Sequence, residues 1–520
     1  MRLRYSLLVF CLALPVLHAQ EQQKPFIEPM EHRHGKRELR IAAASPQTTG
    51  KWTTIATMMP INPVHVALMH NGKVLVISGS GNDPTNHNLE AGVWNPVTQT
   101  ITTFTLAYDM FCNGMVVLPD GHPFVIGGTL RYDPFYGQKL TSTFNPATAT
   151  FTQKASMSDG RWYPTGTVLG NGTVLALSGL GIPPPNCSSA TPPDACTNMN
   201  ADVYHPATNT WTHSGTAFGG IPLFPRDHLL PNGKIFESGA NPNTQTYTVS
   251  TGMWANVATT IFGQARDYGT SVLLPLTPAH HFAPRVFIAG GGPNGTTITN
   301  TTEVIDLSAA TPAWSAGPNM VAPRIQLNAT ILPGGKVLVS GGSSNDEDPT
   351  TAVLAAELYD PEANTFSPAE SMEFARLYHS NTILLPDATV MAVGGNPVRG
   401  EYEPHVEIYS PPYLFKSDGT AATRPVIGSK TTSSIRYGVS FDVSTRQAAS
   451  IKRVELIRAG AVTHAFDMDQ RLVGVTFTTG TGVLHVTAPK SHNVAPPGWY
   501  LLFILDGNGV PSKAHWVHLR

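Results

Sequence analysis

One element recurs seven times along this chain: a tight turn, an apolar strand and a glycine or glycine pair. Examples are HNGKVLVISG, PGGKVLVSGG and PDATVMAVGG. The copies end at Gly79, Gly128, Gly179, Gly239, Gly292, Gly342 and Gly395. Most are followed by an aromatic strand that ends in a turn and resumes with Trp or Phe, as in VYHPATNTW and LYDPEANTF. A repeat at roughly 50 residues requires an architecture of stacked, equivalent units.

The period and composition together define the fold class. The chain has 47 Gly, 44 Pro and only 13% charged residues, which favours many short strands and turns. A period near 50 is typical of kelch-type blades of four strands. We therefore predict an all-β chain with a seven-bladed kelch-type β-propeller over residues 45–412. The stretch GKWTTIATMM resembles the closing strand of a blade, so the N-terminal strand should complete the last blade and remove an open edge.

The glycine pattern stops after Tyr413, and the remaining residues alternate as short strands such as KRVELIRAG and WYLLFILDG. They predict an immunoglobulin-like β-sandwich over residues 413–520. Residues 20–44 are rich in Gln, Glu, His and Arg and predict a flexible leader.

Residues 1–19 combine two arginines, an apolar run and a small residue at Ala19, the pattern of a cleavable secretory signal. No later apolar run suits a membrane span, so we expect a secreted protein, extracellular or periplasmic. The net charge of −2 argues against nucleic acid as a partner. We expect a monomer.

The pairing of the cysteines is a question, because free thiols are oxidised in exported proteins. Cys11 leaves with the signal, and Cys187 and Cys196 bracket a short Pro-rich stretch that a disulfide would close. Cys112 remains over. It is either an inert buried thiol or a reactive one.

The repeat also locates equivalent positions in each blade, and those on the innermost strands line the axis of a propeller. Counting back from each turn gives one position per blade. The seven are Pro63, Cys112, Tyr163, Phe224, Tyr268, Gln326 and His379. Tyr378 precedes His379 and would point to the opposite face of a regular strand. The pair is either a core tyrosine beside a surface histidine or, with irregular backbone, two groups of one site.

Four stretches resemble motifs of the copper radical oxidases, the family of galactose oxidase and glyoxal oxidase. They are DMFC at Cys112, RWYPTG at Tyr163, RLYHS at His379 and THAFDMDQR at His464. YSPPYLF and PPGWYLLFILDGNGVPS extend the resemblance over nearly the whole chain. RWYP is closer to the glyoxal oxidase branch.

The resemblance implies a ligand set and a cofactor. Copper would be bound by Tyr163, Tyr378, His379 and His464, and a thioether would join Cys112 to the ring of Tyr163, which holds a radical. Cys112, Tyr163 and Tyr378 would be the catalytic residues. His464 would then lie on a hairpin of the last domain that reaches up the propeller axis. The last domain would be of the galactose oxidase C-terminal type.

The chemistry accounts for these residue types. Oxidation of an alcohol or an aldehyde hydrate removes two electrons, whereas copper cycling between Cu(II) and Cu(I) accepts one. A sulfur-substituted Tyr163 can accept the second, and dioxygen would reoxidise the site to give hydrogen peroxide. Two imidazoles and two phenolates suit tetragonal Cu(II), and Tyr378 beside the metal is a candidate base.

Residues near the axis are candidates for binding a small aldehyde or primary alcohol. They are Arg161, Trp162, Tyr268, Arg324 and Gln326. The arginines could instead pair with carboxylates, and Trp162 could pack between blades. The alternative function is a metal-free kelch propeller that binds glycans or cell-wall material.

Overall fold

The protein is described by a computed structural model that covers residues 44–132, 135–181 and 196–520. A one-turn helix, Pro46–Thr49, precedes the first strand. Single 3-10 turns lie in the connections, at Pro278–His280, Pro293–Gly295, Pro349–Thr351, Pro412–Leu414 and Ala448–Ser450.

Seven antiparallel blades follow one another around the axis, and the all-β propeller prediction is confirmed. From the inner strand outwards, blades 1 to 4 are His65–Leu68, Val74–Gly79, Glu90–Asn95, Thr100–Thr105; Gly114–Val117, Pro123–Ile126, Thr141–Asn145, Thr150–Gln153; Thr165–Val168, Val174–Leu177, Asn200–His205, Thr210–Thr216; and Asp227–Leu229, Ile235–Glu237, Asn243–Thr248, Met253–Thr259. Blades 5 to 7 are Thr270–Leu273, Arg285–Ala289, Thr302–Asp306, Trp314–Ala316; Asn328–Ile331, Val337–Ser340, Ala356–Asp360, Thr365–Ala369; and Asn381–Leu384, Val390–Val393, His405–Ser410, Lys51–Met58. A small ribbon, Thr129–Arg131 with Tyr136–Gly137, extends from blade 2.

The ring closes through the N-terminal strand, as predicted. Lys51–Met58 pairs with His405–Ser410 of blade 7, with Trp52 opposite Tyr409. The two rings lie 4.9 Å apart. Strands from both ends of the propeller sequence therefore share one sheet, which leaves blade 7 without an open edge.

The aromatic element of the repeat supplies pairs of aromatic rings across the outer strands of several blades. Tyr204 lies opposite Trp211, Tyr247 opposite Trp254 and Tyr359 opposite Phe366. The inner member of each pair is almost wholly buried between blades. Such pairs fix strand register, because a slip by one residue would turn the aromatic ring to the solvent.

The glycine pair sits where the next blade begins. Gly291 and Gly342 donate their backbone N–H groups to the carbonyls of Arg324 and Arg376, each on the following blade. A Cβ on Gly290 would lie 2.4 Å from the Arg324 carbonyl oxygen. The left-handed φ values of these residues and the close approach together explain why glycine recurs here.

The arginines at the blade starts are internal braces. Within their own blades, buried ion pairs join Arg161 to Asp202, Arg266 to Glu303, Arg324 to Glu357 and Arg376 to Glu407, at 2.7 to 2.8 Å. The Arg161 guanidinium also donates to the carbonyls of Ser178 and Asn200. Arg161 and Arg324 are fully buried. They therefore serve the blades and not the substrate rim, which corrects the expectation for both residues.

The last domain is a two-sheet β-sandwich, as predicted. Its larger sheet contains Ser434–Ile435, His515–Leu519, Gly498–Asp506, Ile451–Arg458 and Arg471–Val475 in spatial order. Its smaller sheet contains Ser440–Ser444, Val483–Thr487 and Phe477–Gly480. The sandwich core is continuous with apolar residues of blades 4 and 5, including Phe236 and Ile288.

A hairpin of this domain enters the propeller. Its strands are Ala461–Thr463 and Phe466–Asp467, and Val462 pairs with Val66 of the inner strand of blade 1. Thr270 of blade 5 donates its hydroxyl to the Ala465 carbonyl at 2.7 Å. The hairpin is thus bonded to opposite parts of the ring, and its predicted position on the axis is confirmed.

Loss of one blade brace should destabilise the propeller. We expect Arg324→Met to lower the free energy of unfolding by about 3–5 kcal/mol, because it leaves Glu357 and two carbonyls without their buried cation. Urea denaturation followed by tryptophan fluorescence measures the loss.

Arg285→Met is the matched control, because Arg285 pairs with the exposed Glu362. It should cost less than about 1 kcal/mol. Equal losses in the two variants would contradict the assignment of Arg324 as a brace.

Candidate functional site

The axis positions share an unusual backbone conformation. Six of the seven have positive φ, between 46° and 67°, and only Pro63 differs. They are Cys112, Tyr163, Phe224, Tyr268, Gln326 and His379. The register counted from the repeat is therefore supported at these six positions. Residues other than glycine rarely adopt this conformation, and such strain concentrates at functional sites.

The left-handed residue changes which side chains meet. Tyr378 and His379 would point to opposite faces of a regular strand. Because His379 has a φ of 64°, the two rings stack instead, with centroids 3.8 Å apart. This is the irregularity that the sequence requires if both residues are to serve one site.

Backbone hydrogen bonds connect the axis positions of neighbouring blades. The Tyr163 N–H donates to the Cys112 carbonyl at 3.0 Å, and the Phe224 N–H donates to the Tyr163 carbonyl at 2.9 Å. Asn381 closes the ring by donating to the Pro63 and His379 carbonyls. The left-handed conformation is thus held by partners on both sides.

His464 comes from the axial hairpin. His464 and Ala465 are the two turn residues between Thr463 and Phe466, and both have positive φ. A two-residue hairpin turn of this kind normally uses Asn and Gly. Placing His and Ala there costs conformational energy, and it directs the imidazole at the end of the hairpin toward the axis positions.

Five side chains converge at this point. The Cys112 Sγ lies 3.9 Å from His379 Nε2 and 3.6 Å from His464 Nε2. These three atoms lie within 4.8 Å of one another. The hydroxyl of Tyr163 contacts that of Tyr378, and the Tyr163 ring lies 4.6 Å from the His464 ring. All five residues predicted from the sequence are therefore in one place.

Neighbouring side chains fix the tautomer of both histidines. His379 Nδ1 donates to Asn396 Oδ1 at 2.6 Å, since that oxygen also accepts from Asn62. His464 Nδ1 donates to Thr463 Oγ1 at 2.5 Å, since the Thr463 hydroxyl donates its proton to the Val64 carbonyl. Each Nε2 then keeps a lone pair that faces the cluster, as in protein metal sites.

Burial sets the charge of the cluster. It lowers the pKa of His379 to about 3, although the hydrogen bond with Asn396 acts in the opposite direction. Burial also lowers the pKa of His464 well below its usual value, and raises that of the Cys112 thiol. Two neutral imidazoles and a neutral thiol result. Imidazoles that carry no proton on Nε2 can bind a metal without displacing one.

Trp162 stacks on Tyr163. The ring centroids are 3.6 Å apart and the planes differ by 10°. Phe135 covers the other face of Trp162 at 4.2 Å. Trp162 is 8% exposed, so most of its surface packs between these two rings. Consecutive residues can stack here because Tyr163 is left-handed.

The remaining two candidates differ in exposure. Tyr268 is 40% exposed, and its ring meets that of Tyr378 edge to face at 5.7 Å. Gln326 is buried and donates its backbone N–H to the Tyr268 carbonyl. Arg161 and Arg324 lie inside their blades, as described above.

Sequence reasoning missed several neighbours of the cluster. The ring of His65 lies 5.9 Å from that of His464, and neither of its buried nitrogens has a hydrogen-bond partner. Its place two residues after the Pro63 axis position could have identified it. Asn396 and Thr463 were not predicted, because an amide or a hydroxyl side chain does not by its type indicate that it orients a histidine.

Some predictions concern residues outside the described ranges. Cys187 is one of them, so the Cys187–Cys196 disulfide stays a prediction, although Cys196 is disulfide-bonded. Cys112 is a free, buried thiol. The signal and leader segments also lie outside the described residues. None of the described helices is long and apolar enough to cross a membrane.

Comparison with known proteins agrees with this geometry. Galactose oxidase of Gibberella zeae is 27% identical to this chain over 93% of the chain and 73% of its own length. Aldehyde oxidase GLOX of Vitis pseudoreticulata is 27% identical over 90% and 97%. A fungal alcohol oxidase solved in complex with copper superposes with a TM-score of 0.79 at 26% identity, covering 91% of this chain and 99% of that one.

Two family models cover most of the sequence. Residues 78–413 match the glyoxal oxidase N-terminus, and residues 424–519 match the galactose oxidase-like early set domain. The first match alone spans more than half of the chain. The chain therefore belongs to the family of copper radical oxidases that includes glyoxal oxidase and galactose oxidase.

Proposed function

We propose that this protein is a secreted copper radical oxidase that oxidises small aldehydes, as their hydrates, or primary alcohols and reduces dioxygen to hydrogen peroxide. The observation that carries the proposal is the convergence of two neutral imidazoles and two phenols beside one free thiol. Residues 1–19 support export, and the protein would act as a monomer.

The donor set suits copper. His379 and His464 would each offer Nε2, and Tyr163 and Tyr378 would each offer a phenolate oxygen. Imidazole nitrogen with oxygen donors is typical of tetragonal Cu(II). The hydrogen bonds from Nδ1 to Asn396 and Thr463 would orient both rings before a metal arrives.

The residues divide the chemistry among them. Bound copper would accept one of the two electrons that the reaction removes. Tyr163 would accept the other, once a thioether to Cys112 has made its ring easier to oxidise. Tyr378 would take the hydroxyl proton of the substrate, because its oxygen already meets that of Tyr163. Trp162 covers the face of Tyr163 and would protect its radical from solvent.

The charges near Tyr268 favour a neutral substrate. Tyr268 is partly exposed and its ring lies against Tyr378. Desolvation of its hydroxyl raises the pKa of Tyr268 to about 12, and the nearby carboxylates of Asp267, Glu347 and Asp346 act in the same direction. The two arginines that could have bound an acidic substrate are committed to ion pairs. A neutral aldehyde hydrate or alcohol suits these surroundings better than an anion does.

Copper stoichiometry tests the ligand set. Purified protein loaded with Cu(II) should hold one copper per chain by atomic absorption. The variant His379→Ala/His464→Ala should lose it, because two of four ligands are gone. His485→Ala, on the exposed surface of the sandwich, is the control and should bind as the unmodified protein does. Full occupancy in the double variant would refute this ligand set.

The thioether has a mass signature. Joining Cys112 Sγ to a ring carbon of Tyr163 removes one hydrogen from each, and dioxygen would accept the two electrons. Mass spectrometry should therefore show a loss of about 2 Da after copper and oxygen are supplied, and a peptide that contains both residues. Cys112→Ala should retain copper and lose most oxidase activity and the radical's optical band. A copper-loaded protein whose Cys112 is still freely alkylated would contradict the cross-link.

Substrate preference tests the branch of the family. A peroxide-coupled assay should give higher kcat/KM for methylglyoxal and glyoxal than for glycerol or galactose, because RWYPTG follows the glyoxal oxidase form. If galactose is the best of the four, the preference for small aldehydes is wrong, while the copper chemistry can stand.

A further inference from the structure

A line of aromatic rings leads away from Tyr163. Trp162 stacks on Tyr163 at 3.6 Å, Phe135 stacks on Trp162 at 4.2 Å, and Tyr132 meets Phe135 at 4.9 Å. Trp162 is buried, whereas Phe135 and Tyr132 are half-buried and reach the protein surface. We call these four residues the aromatic line.

The outer end of the line carries a proton acceptor. The Tyr132 hydroxyl lies 2.5 Å from Ser80 Oγ, and the Ser80 hydroxyl donates to Asp109 Oδ2 at 2.6 Å. The Tyr132 phenol must therefore be the donor to Ser80. A phenol that loses an electron becomes a strong acid, so Tyr132 has a defined route for its proton at the moment of oxidation.

The residue types in the aromatic line suit electron transfer. Tyrosine and tryptophan are the two common side chains that a one-electron oxidant can oxidise, and both ends of the line are of these types. Phe135 is not oxidised itself, but it keeps the rings in van der Waals contact. A packing role alone would require neither the terminal phenol nor its hydrogen bonds to Ser80 and Asp109.

We infer that the aromatic line is an electron-transfer route through which a one-electron oxidant at the surface generates the radical on Tyr163. The inference rests on the proposed function, because it requires a Tyr163 that can hold a radical. It assigns a redox role to Trp162 and Tyr132, and a proton-accepting role to the Ser80–Asp109 pair.

The step balances as follows. The oxidant accepts one electron from Tyr132, and the Tyr132 proton moves to Ser80 as the Ser80 proton moves to Asp109. The Tyr132 radical then regains an electron from Tyr163 through Phe135 and Trp162, and the protons return. In sum, Tyr163 loses one electron and one oxidant is reduced by one electron.

The test follows radical formation rather than turnover. Copper-loaded protein is mixed with hexachloroiridate(IV), an outer-sphere one-electron oxidant, and the radical's optical band is recorded by stopped flow, with electron paramagnetic resonance as a second readout. Tyr132→Phe keeps the ring and removes the oxidisable phenol. It should slow radical formation at least about tenfold, or ~1.4 kcal/mol in barrier. Ser80→Ala should slow it as well and abolish a solvent deuterium effect seen in the unmodified protein.

Tyr136→Phe is the matched control, because Tyr136 adjoins Phe135 in sequence while its ring lies under the Arg131 guanidinium at 4.9 Å. It should react at the unmodified rate. An unchanged rate in Tyr132→Phe would overturn the route. Absence of both cross-link and radical in the unmodified protein would instead overturn the proposed function.

Discussion

The site depends on one backbone constraint, a left-handed residue just before the inner strand in six of the seven blades. Six blades place such a residue on the axis, and the conformation is costly for side chains such as Cys, Tyr and His. Backbone hydrogen bonds between blades and the glycine–arginine contacts hold it in place. The propeller thereby turns consecutive side chains toward one point, which a regular strand cannot do.

The second domain supplies His464 to the cluster of side chains that the propeller forms. Its hairpin is bonded to blade 1 through Val462, and Arg458 of the sandwich donates to the Val117 carbonyl of blade 2 and pairs with Asp469 at the hairpin base. His464 therefore reaches the axis only when sandwich and propeller are both folded. Because His464 comes from a separate domain, formation of the complete cluster is coupled to the assembly of the whole chain.

Much of this could be predicted from the sequence, because a repeat at a fixed period carries register as well as fold. Counting along the repeat identifies Cys112, Tyr163 and His379 as axis positions. Only the resemblance identifies His464, because no repeat contains it. The contacts of Arg161 and Trp162 could not be predicted from the sequence. An arginine at a blade start is suited equally to a substrate and to a carboxylate, and the decision depends on Asp202, which lies two strands away. The stacking of Trp162 on its own neighbour requires a φ that the residue types do not reveal.

Burial gives the cluster its chemical character. Removing water lowers the pKa of His379 and His464, so both present lone pairs rather than charges. The same exclusion of water is needed around a tyrosyl radical, and here Trp162 and Phe224 cover the Tyr163 ring at 3.6 and 4.5 Å. The aromatic cover and the neutral histidines are therefore two consequences of one arrangement. A more open site would raise the pKa of both histidines and expose the Tyr163 ring to water together, whereas the strained backbone at six axis positions keeps this cluster closed.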